Sequence, residues 1–170
     1  MSYLPSGLET VSVTTPTNCV LEDGIKLNTD QLVVISIIRA GDSMLDSFLT
    51  VCPSVKVGKI LIQRDEETAL PKLMYYKVPN LAGKQVILLD PMLATGGSAK
   101  QAISVLLQHG ASIDRLAFFS VISAPEGIQS ILRDYPDIRI VTGHQDEGLN
   151  EKAYIIPGLG DYGDRYFGTV

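Results

Sequence analysis

The chain has 170 residues, of which 45% are hydrophobic and 19% are charged, so we expect one globular domain over residues 1–170 and not a disordered chain. The formal net charge of −5 argues against a sequence-independent nucleic-acid surface. No apolar run approaches about 18 residues, and no basic segment followed by an apolar block opens the chain, so we expect neither a membrane span nor a secretion signal.

The two cysteines, Cys19 and Cys52, follow neither a metal-binding spacing nor a disulfide framework. We therefore predict that both are small side chains that fill the core. A chain without disulfides is typical of a reducing compartment, so we expect a cytoplasmic protein.

Taken in chain order, the predicted elements alternate between strands and helices. Apolar or alternating runs predict strands over Leu8–Thr15, Leu32–Ile38, Val57–Ile62, Val86–Leu89, Leu116–Ile122 and Ile138–Val141. Helical spacing predicts helices over Ser43–Val51, Ala99–Gln108 and Pro125–Tyr135, with Gly110 as a C-cap of the second. We interpret Leu73–Val78 as an extended or hairpin arm and Asn150–Val170 as an ordered loop. This order predicts an α/β fold with a parallel sheet flanked by helices.

Polar residues follow three of the predicted strands, at Arg39, at Arg64–Thr68 and at Asp90–Ser98. The carboxyl ends of parallel strands share one edge of a sheet, where open α/β sheets bind ligands. We therefore expect these three groups to form a single site.

The stretch Val86–Ser98 reads VILLDPMLATGGS and carries the strongest functional signal. A strand, a Gly-rich loop and a helix in this order bring backbone N–H groups and a helix N-terminus to one point, which favours an anion such as phosphate. Asp90 at the strand end would accept hydrogen bonds from sugar hydroxyls. The glycines match neither a Walker loop nor a dinucleotide fingerprint, so an ordinary turn between a strand and a helix remains the alternative.

Two arginines also stand at strand ends. Arg39 precedes Gly41, which allows close backbone approach, and its guanidinium suits bidentate phosphate contacts; an ion pair with Asp42 or Asp46 is the alternative. Arg64 follows the next strand and is predicted to bind ligand, whereas the acids at 65–67 are expected to hold the loop or face water. The arm from Arg64 to Val78 could close over a ligand and exclude water.

The segment Gly158–Gly163 has the spacing GxGxxG, but no βαβ unit follows it, so we interpret it as a tight loop and not as a nucleotide fingerprint. Its backbone groups could recognise the edge of a small planar base, with Ile155 and Tyr162 on the two faces. Of the two histidines, we expect His109 to interact with a helix end and His144 to lie in a polar loop, with a catalytic role for neither.

Together the motifs resemble the uracil phosphoribosyltransferase family, from about Leu32 to Thr169. The matching blocks are ISIIRAGDSM, ILIQRDEET, LLDPMLATGGSA, APEGI, GLNEKAYIIPG and GLGDYGDRYFGT. A single acid followed by Pro in the phosphoribosyl-diphosphate loop is this family's version. The C-terminal GDYGDRYFGT block is more specific, because it is associated with the selection of uracil.

The resemblance implies a type I phosphoribosyltransferase fold with a small hood and a flexible arm. It implies that uracil and 5-phospho-α-D-ribose 1-diphosphate react to give UMP and diphosphate, with Mg²⁺ held mainly through the substrate diphosphate and not by a metal site of the protein. It assigns Arg39 and Arg64 to the diphosphate and Asp90 to the ribose hydroxyls. The implied ribose and phosphate cradle comprises Asp90, Pro91, Met92, Leu93, Ala94, Thr95, Gly96, Gly97 and Ser98. The implied uracil site comprises Ile155, Gly160, Asp161 and Tyr162, and the residues expected to be catalytic are Arg64, Asp90 and Asp161.

Further expectations concern partners and departures from the family. The resemblance implies a homodimer or homotetramer and a possible GTP effector, without nucleic acid or membrane as partners. Tyr162 stands where the family commonly has Ala, so its side chain either points away from uracil or reshapes the pocket. The part of the chain before Leu32 is shorter than the family's usual N-terminal helical segment, so a shortened chain is expected. The alternatives are a regulator of this fold with little catalysis and an enzyme for another base, such as hypoxanthine or orotate.

Overall fold

The computed structural model describes residues 8–64 and 71–169. Its first element is an antiparallel hairpin of β1 (Leu8–Thr14) and β2 (Val20–Leu27), with the positive-φ residue Asn18 in the turn. The predicted strand is confirmed, but the sequence analysis missed β2. Glu22, Asp23 and Gly24 interrupt the apolar pattern that would predict a strand. The strand forms because the segment pairs with β1.

The central sheet contains seven strands of the described chain. They are β3 (Leu32–Ile38), β4 (Lys56–Arg64), β5 (Pro71–Lys77), β6 (Gln85–Leu89), β7 (Met92–Leu93), β8 (Leu116–Ser123) and β9 (Arg139–Gln145). The spatial order is β5-β4-β3-β6-β8, with β7 and β9 both paired to β8. All pairs are parallel except β4 with β5. The prediction of a parallel sheet is therefore confirmed, apart from the antiparallel strand β5.

Helices cover both faces of this sheet. Helix α1 (Asp42–Val51) packs on the side of Leu32, Val34 and Leu89. Helices α2 (Gly97–Gln108) and α3 (Pro125–Asp134) lie on the opposite side, over the larger core. The strand β3 is buried along its length, as expected for a central strand covered on both faces. This two-sided burial fixes the position of the loops that follow β3 and β6.

The remaining elements lie near the C-terminus. Strands β10 (Gly148–Leu149) and β11 (Ile155–Ile156) form a short antiparallel pair, and helix α4 (Tyr162–Phe167) ends at Gly168. The prediction of an ordered loop over Asn150–Val170 was therefore wrong within the described residues. These elements are too short to show periodicity, so tertiary contacts and not the local pattern stabilise them.

Three smaller predictions were also wrong. The segment predicted as a last core strand forms the edge strand β9, in which Val141 is 47% exposed. His144, which was predicted to lie in a loop, belongs to the same strand. Cys52 is buried as predicted, but Cys19 is exposed on the hairpin. For Val141 and Cys19 the sequence shows an apolar or small residue without showing whether another element covers it.

Within the described ranges, none of the helices combines the length and apolar character needed to cross a bilayer. Of the predicted arm, β5 pairs antiparallel with β4, whereas residues 65–70 and the side chain of Arg64 lie outside what the structure describes.

Candidate functional site

The carboxyl ends of the parallel strands border one cleft of about 840 Å³. Arg39 follows β3, Gln63 lies at the end of β4, and Asp90 follows β6, and all three line the cleft. The tail of the chain forms the opposite wall. From this wall the lining includes Lys152, Ala153, Tyr154, Ile155, Gly160, Asp161, Tyr162 and Gly163. The edge at which the sequence predicts one site therefore holds one large open space.

The loop after β3 is held tightly against the sheet. The amide of Gly41 donates to the carbonyl of Ile37 (2.8 Å), and the Ile38–Arg39 peptide bond is cis. A Cβ on Gly41 would collide with the carbonyl of Leu89 and would lie 2.7 Å from that of Ile37. Gly41 is therefore required for close backbone approach, as its position after Arg39 predicts.

The loop after β6 leads into α2 through a small polar recess. Gly96 has a φ of +81° and is the N-cap of α2, with no side-chain cap and no acid in the first turn. A recess of about 30 Å³ is lined by Asp90, Met92, Leu93, Ala94, Thr95, Gly96, Gly97, Ser98 and Ala99. Backbone amides at the start of a helix and nearby hydroxyls suit an anion.

Asp90 and Pro91 are attached to the neighbouring strand β8. The amide of Asp90 donates to the carbonyl of Phe119 (3.1 Å), and the carbonyl of Pro91 accepts from Val121 and Ile122. Oδ1 of Asp90 accepts from the amide of Met92 (3.4 Å). These bonds fix the direction in which Asp90 leaves β6, toward the cleft.

The tail segment from Ile155 to Tyr162 is anchored by two acids from other elements. Oδ2 of the buried Asp146 accepts from the amide of Gly158 (2.9 Å), and Oε1 of Glu126 accepts from the amide of Leu149 (3.1 Å). Ile155 itself is only 4% exposed and pairs with Leu149. Hydrogen bonds to charged acceptors are stronger than neutral ones, so they hold the irregular segment at the cleft wall.

The tail also contacts Arg39 directly. Nη2 of Arg39 donates to Oδ1 of Asp164 (2.6 Å), Nη1 donates to Oγ1 of Thr169 (2.7 Å), and the guanidinium lies 5.5 Å from the ring centre of Phe167. The alternative of a pair with Asp42 or Asp46 is not found, since Asp42 pairs with Lys59. The hydrogen bond from Thr169 and then that from Arg39 hold the pKa of Asp164 below its ordinary value.

Tyr162 runs along the cleft wall toward the start of α1. Oγ of Ser43 donates to the hydroxyl oxygen of Tyr162 (3.0 Å), and the Tyr162 ring stacks on Tyr166 with centres 5.8 Å apart. The side chain therefore lines the cleft and ends on the first turn of α1. The hydroxyl of Tyr162 thus links the tail to α1.

The predicted site residues divide into groups by position. The main cleft is lined by Arg39, Asp90, Met92, Ala94, Ser98, Ile155, Gly160, Asp161 and Tyr162, and the small recess adds Leu93, Thr95, Gly96 and Gly97. Pro91 is buried and lines neither space. The backbone of Arg64 ends β4 at the same edge, and its side chain is outside the described part.

Other candidate groups lie elsewhere. His109 caps α2, with Nδ1 2.8 Å from the carbonyl of Val105, which agrees with the predicted helix-end position. Nε2 of His144 lies 3.4 Å from Oδ1 of Asp146. In the part of the chain that the structure describes, no three His, Cys, Asp or Glu side chains are grouped to hold a metal.

Sequence reasoning missed several residues around the site, among them Lys152, Asp164 and Thr169. Lys152 lines the cleft, and Asp164 and Thr169 contact Arg39. Asp164 and Thr169 stand inside the C-terminal block that carries the resemblance, but nothing in the spacing indicates that they meet residue 39. Lys152 stands inside the block GLNEKAYIIPG, but nothing in the spacing indicates that it reaches the cleft.

Comparison with known proteins gives consistent results. A family model described as uracil phosphoribosyltransferase matches residues 3–169. The uracil phosphoribosyltransferase of Dictyostelium discoideum is 52% identical over 159 residues, which cover 93% of this chain and 73% of that protein. The enzyme of the same name from Saccharomyces cerevisiae is 54% identical, with 78% and 62% covered. The solved structure of the AQ2163 protein from Aquifex aeolicus superposes with a TM-score of 0.83 at 40% identity, covering 95% of this chain and 76% of that one.

Proposed function

This chain belongs to the uracil phosphoribosyltransferase family, and from that premise we infer the reaction and the division of its steps among the residues of the cleft. It is a pentosyl transferase of pyrimidine salvage with a type I phosphoribosyltransferase fold. Its substrates are uracil and phosphoribosyl diphosphate, and its products are UMP and diphosphate.

One observation supports the proposed division of roles. The arginine loop after β3, the polar recess before α2 and the tail segment near Gly160 all open into the same cleft of about 840 Å³. A cleft of this size falls within the range of small-molecule sites. This supports the proposal that three chemically different parts of one substrate pair bind in the one cleft.

The phosphoribosyl diphosphate is proposed to lie along the sheet edge. Its 5-phosphate enters the recess of residues 94–98, where backbone amides and the Thr95 and Ser98 hydroxyls donate hydrogen bonds. Asp90 accepts from the ribose hydroxyls. Arg39 and Arg64 bind the diphosphate, since a guanidinium suits bidentate contacts with phosphate.

Uracil is proposed to bind against the tail. Backbone groups of Gly160 and Asp161 would pair with the polar edge of the base, and Ile155 and Tyr162 would contact its faces. Gly160 has a φ of +78°, which supports a loop whose amides and carbonyls face the ligand.

The reaction is a displacement at the anomeric carbon of ribose. The bond to a uracil ring nitrogen forms while the bond to the diphosphate oxygen breaks, through a transition state with oxocarbenium character. The arginines stabilise the charge that develops on the departing diphosphate, and the cradle fixes the ribose. Asp161 is the proposed acceptor of the uracil N–H proton.

Mg²⁺ is proposed as the cofactor, held mainly by the substrate diphosphate. Of the described residues, Asp90 and Asp161 bring carboxylate oxygens to the cleft wall, and oxygen ligands together with phosphates suit this ion. When bound, it neutralises part of the charge on the leaving group. EDTA should therefore abolish turnover, and added Mg²⁺ should restore it.

The direct test is incubation of the chain with radiolabelled uracil, phosphoribosyl diphosphate and Mg²⁺, followed by separation of UMP. We expect UMP from uracil and no product from hypoxanthine or orotate. Absence of UMP with bound phosphoribosyl diphosphate would support a regulator with little catalysis instead. Product only from another base would contradict the assignment of uracil. Parallel reactions with GTP test the proposed effector, which should raise the initial rate.

A homodimer or homotetramer is proposed from the exposed apolar hairpin. Val20, Leu21 and Ile25 are 57%, 53% and 59% exposed, and a two-stranded hairpin alone is marginally stable in water. A second copy of the chain would cover these side chains. Two unpaired cysteines support the proposed cytoplasmic location.

A further inference from the structure

The guanidinium of Arg39 is held by a closed set of hydrogen bonds from the tail. Arg39 donates to Asp164 and to Thr169, and Oγ1 of Thr169 in turn donates to Oδ1 of Asp164 (2.7 Å). Each of the three side chains therefore contacts the other two. The two bonds from Arg39 use one N–H group of Nη1 and one of Nη2. These are two of the five N–H groups that a guanidinium carries.

These tail residues stand behind Arg39 and not in the cleft. Arg39 lines the cleft, whereas Asp164 and Thr169 do not. Gly163 also lies close to the guanidinium, since a Cβ added at this glycine would sit 3.3 Å from Nη2 of Arg39. Asp164 and Thr169 therefore contact the guanidinium from outside the cleft lining, where they can orient the group without occupying the place of a ligand.

The same tail segment carries the proposed uracil wall. Oδ1 of Asp161 accepts from the amide of Asp164 (2.9 Å), and Asp161 itself lines the cleft as the N-cap of α4. A rotation of Arg39 would pull on Asp164 and hence on the cap at Asp161. The diphosphate and uracil ends of the cleft are thus mechanically connected through one turn of helix.

We propose that Asp164 and Thr169 are positioning residues that hold Arg39 in the orientation that receives the substrate diphosphate, and that they couple this contact to the uracil wall. The proposal rests on the proposed role of Arg39. A long side chain that is already oriented loses less conformational freedom on binding than a free one. Because Arg39 and Asp164 are 45% and 37% exposed, their pair contributes little to folding, so positioning and stability can be separated experimentally.

The test measures binding of inorganic diphosphate with Mg²⁺ to the full chain by calorimetry. The variants are Asp164→Asn, Thr169→Val and Asp164→Glu, with Asp134→Asn as a matched control that removes the ion pair between the last residue of α3 and Lys100 in the first turn of α2. We expect Asp164→Asn and Thr169→Val each to weaken diphosphate binding about tenfold. Asp164→Glu should recover part of the affinity, and Asp134→Asn should stay within about twofold of the parent.

Steady-state kinetics give a second measurement, which would not change in the expected way if Asp164 had only a structural role. In Asp164→Asn the KM for phosphoribosyl diphosphate should rise about tenfold, while kcat falls less than about threefold. Bound diphosphate should strengthen uracil binding in the parent and do so less in the variant, as reciprocal coupling requires. Thermal unfolding checks that Thr169→Val, one residue from the C-terminus, remains folded.

The outcomes separate this inference from the proposed function. If the parent binds diphosphate but Asp164→Asn and Thr169→Val bind it equally well or more tightly, the positioning role is overturned. If the parent does not bind diphosphate, or Arg39→Gln binds it as well as the parent, the role of Arg39 itself fails.

Discussion

Asp161 and Asp164 lie three residues apart in the tail, but their carboxylates serve different partners. Asp161 lines the cleft and caps α4, whereas Asp164 pairs with Arg39 outside the cleft. Substitution of Asp161 by Ala would remove both the cleft-lining carboxylate and the cap of α4. Substitution of Asp164 by Ala would remove both the pair with Arg39 and the contact with Thr169. Amide variants are more informative, because Asn caps helices nearly as well as Asp but accepts no proton.

The variant Asp161→Asn therefore tests the proposed proton acceptor. We expect kcat to fall at least about a hundredfold, within the usual range for loss of a general base, while uracil and diphosphate affinities change little. Asp161→Ala should in addition lower thermal stability through the lost cap. A near-normal rate for Asp161→Asn with normal binding would remove Asp161 from the chemistry.

The pKa of Asp164 offers a spectroscopic test of the contacts around Arg39. The Thr169 hydroxyl and Arg39 hold this pKa below its ordinary value of 3.8. Since the folded-state pKa is depressed, the contribution of this carboxylate to stability is present above the unfolded value and is lost as pH falls through the folded one. In an NMR titration the midpoint of Asp164 should lie below 3.8 and should rise in Thr169→Val. An unchanged midpoint would contradict the contact.

At the scale of elements, local patterns predict the central strands and the helices well. Strand β3 has the predicted bounds, and α1, α2 and β6 begin within two residues of the predicted positions. A buried strand or an amphipathic helix needs the same periodicity wherever it stands, so its sequence indicates it. Strand β2 and helix α4 lack such a pattern and exist because partner segments stabilise them.

The loop between β3 and α1 yields a prediction at this scale. In Gly41→Ala the added Cβ would meet the carbonyls of Leu89 and Ile37, so the loop must shift. We expect a loss of stability of about 1–3 kcal/mol and a higher KM for phosphoribosyl diphosphate. The control Gly83→Ala sits at the opposite sheet edge with a φ of +70° and nothing within 4 Å. It should lose stability without a change in KM; equal KM effects in both variants would contradict the role of Gly41.

At the scale of the whole molecule, the hairpin of β1 and β2 stands out because its apolar side chains are exposed. Its strands pair with each other but not with the central sheet. An acidic chain with a net charge of −5 gains solubility from charge, yet exposed Val, Leu and Ile favour contact with a further copy.

Replacing Leu21 and Ile25 together by Ser should therefore shift the chain toward a monomer in sedimentation velocity experiments. The control Glu22→Ser changes an exposed polar residue of the same strand and should leave the sedimentation coefficient unchanged. A parent that is monomeric at micromolar concentration, or a double variant that keeps the parent's assembly, would contradict the proposed interface.

The sequence by itself determined the alternation of strands and helices, the convergence of strand ends at one edge and the Gly-rich loop between β6 and α2. These features depend on periodicity and on short-range turns, which a local segment specifies. Only the tertiary structure decided what Arg39 contacts, because its partners Asp164 and Thr169 lie 125 and 130 residues further along the chain. It also decided that Val141 lies on an edge strand and that the tail forms α4, since burial and capping depend on which distant segment arrives alongside.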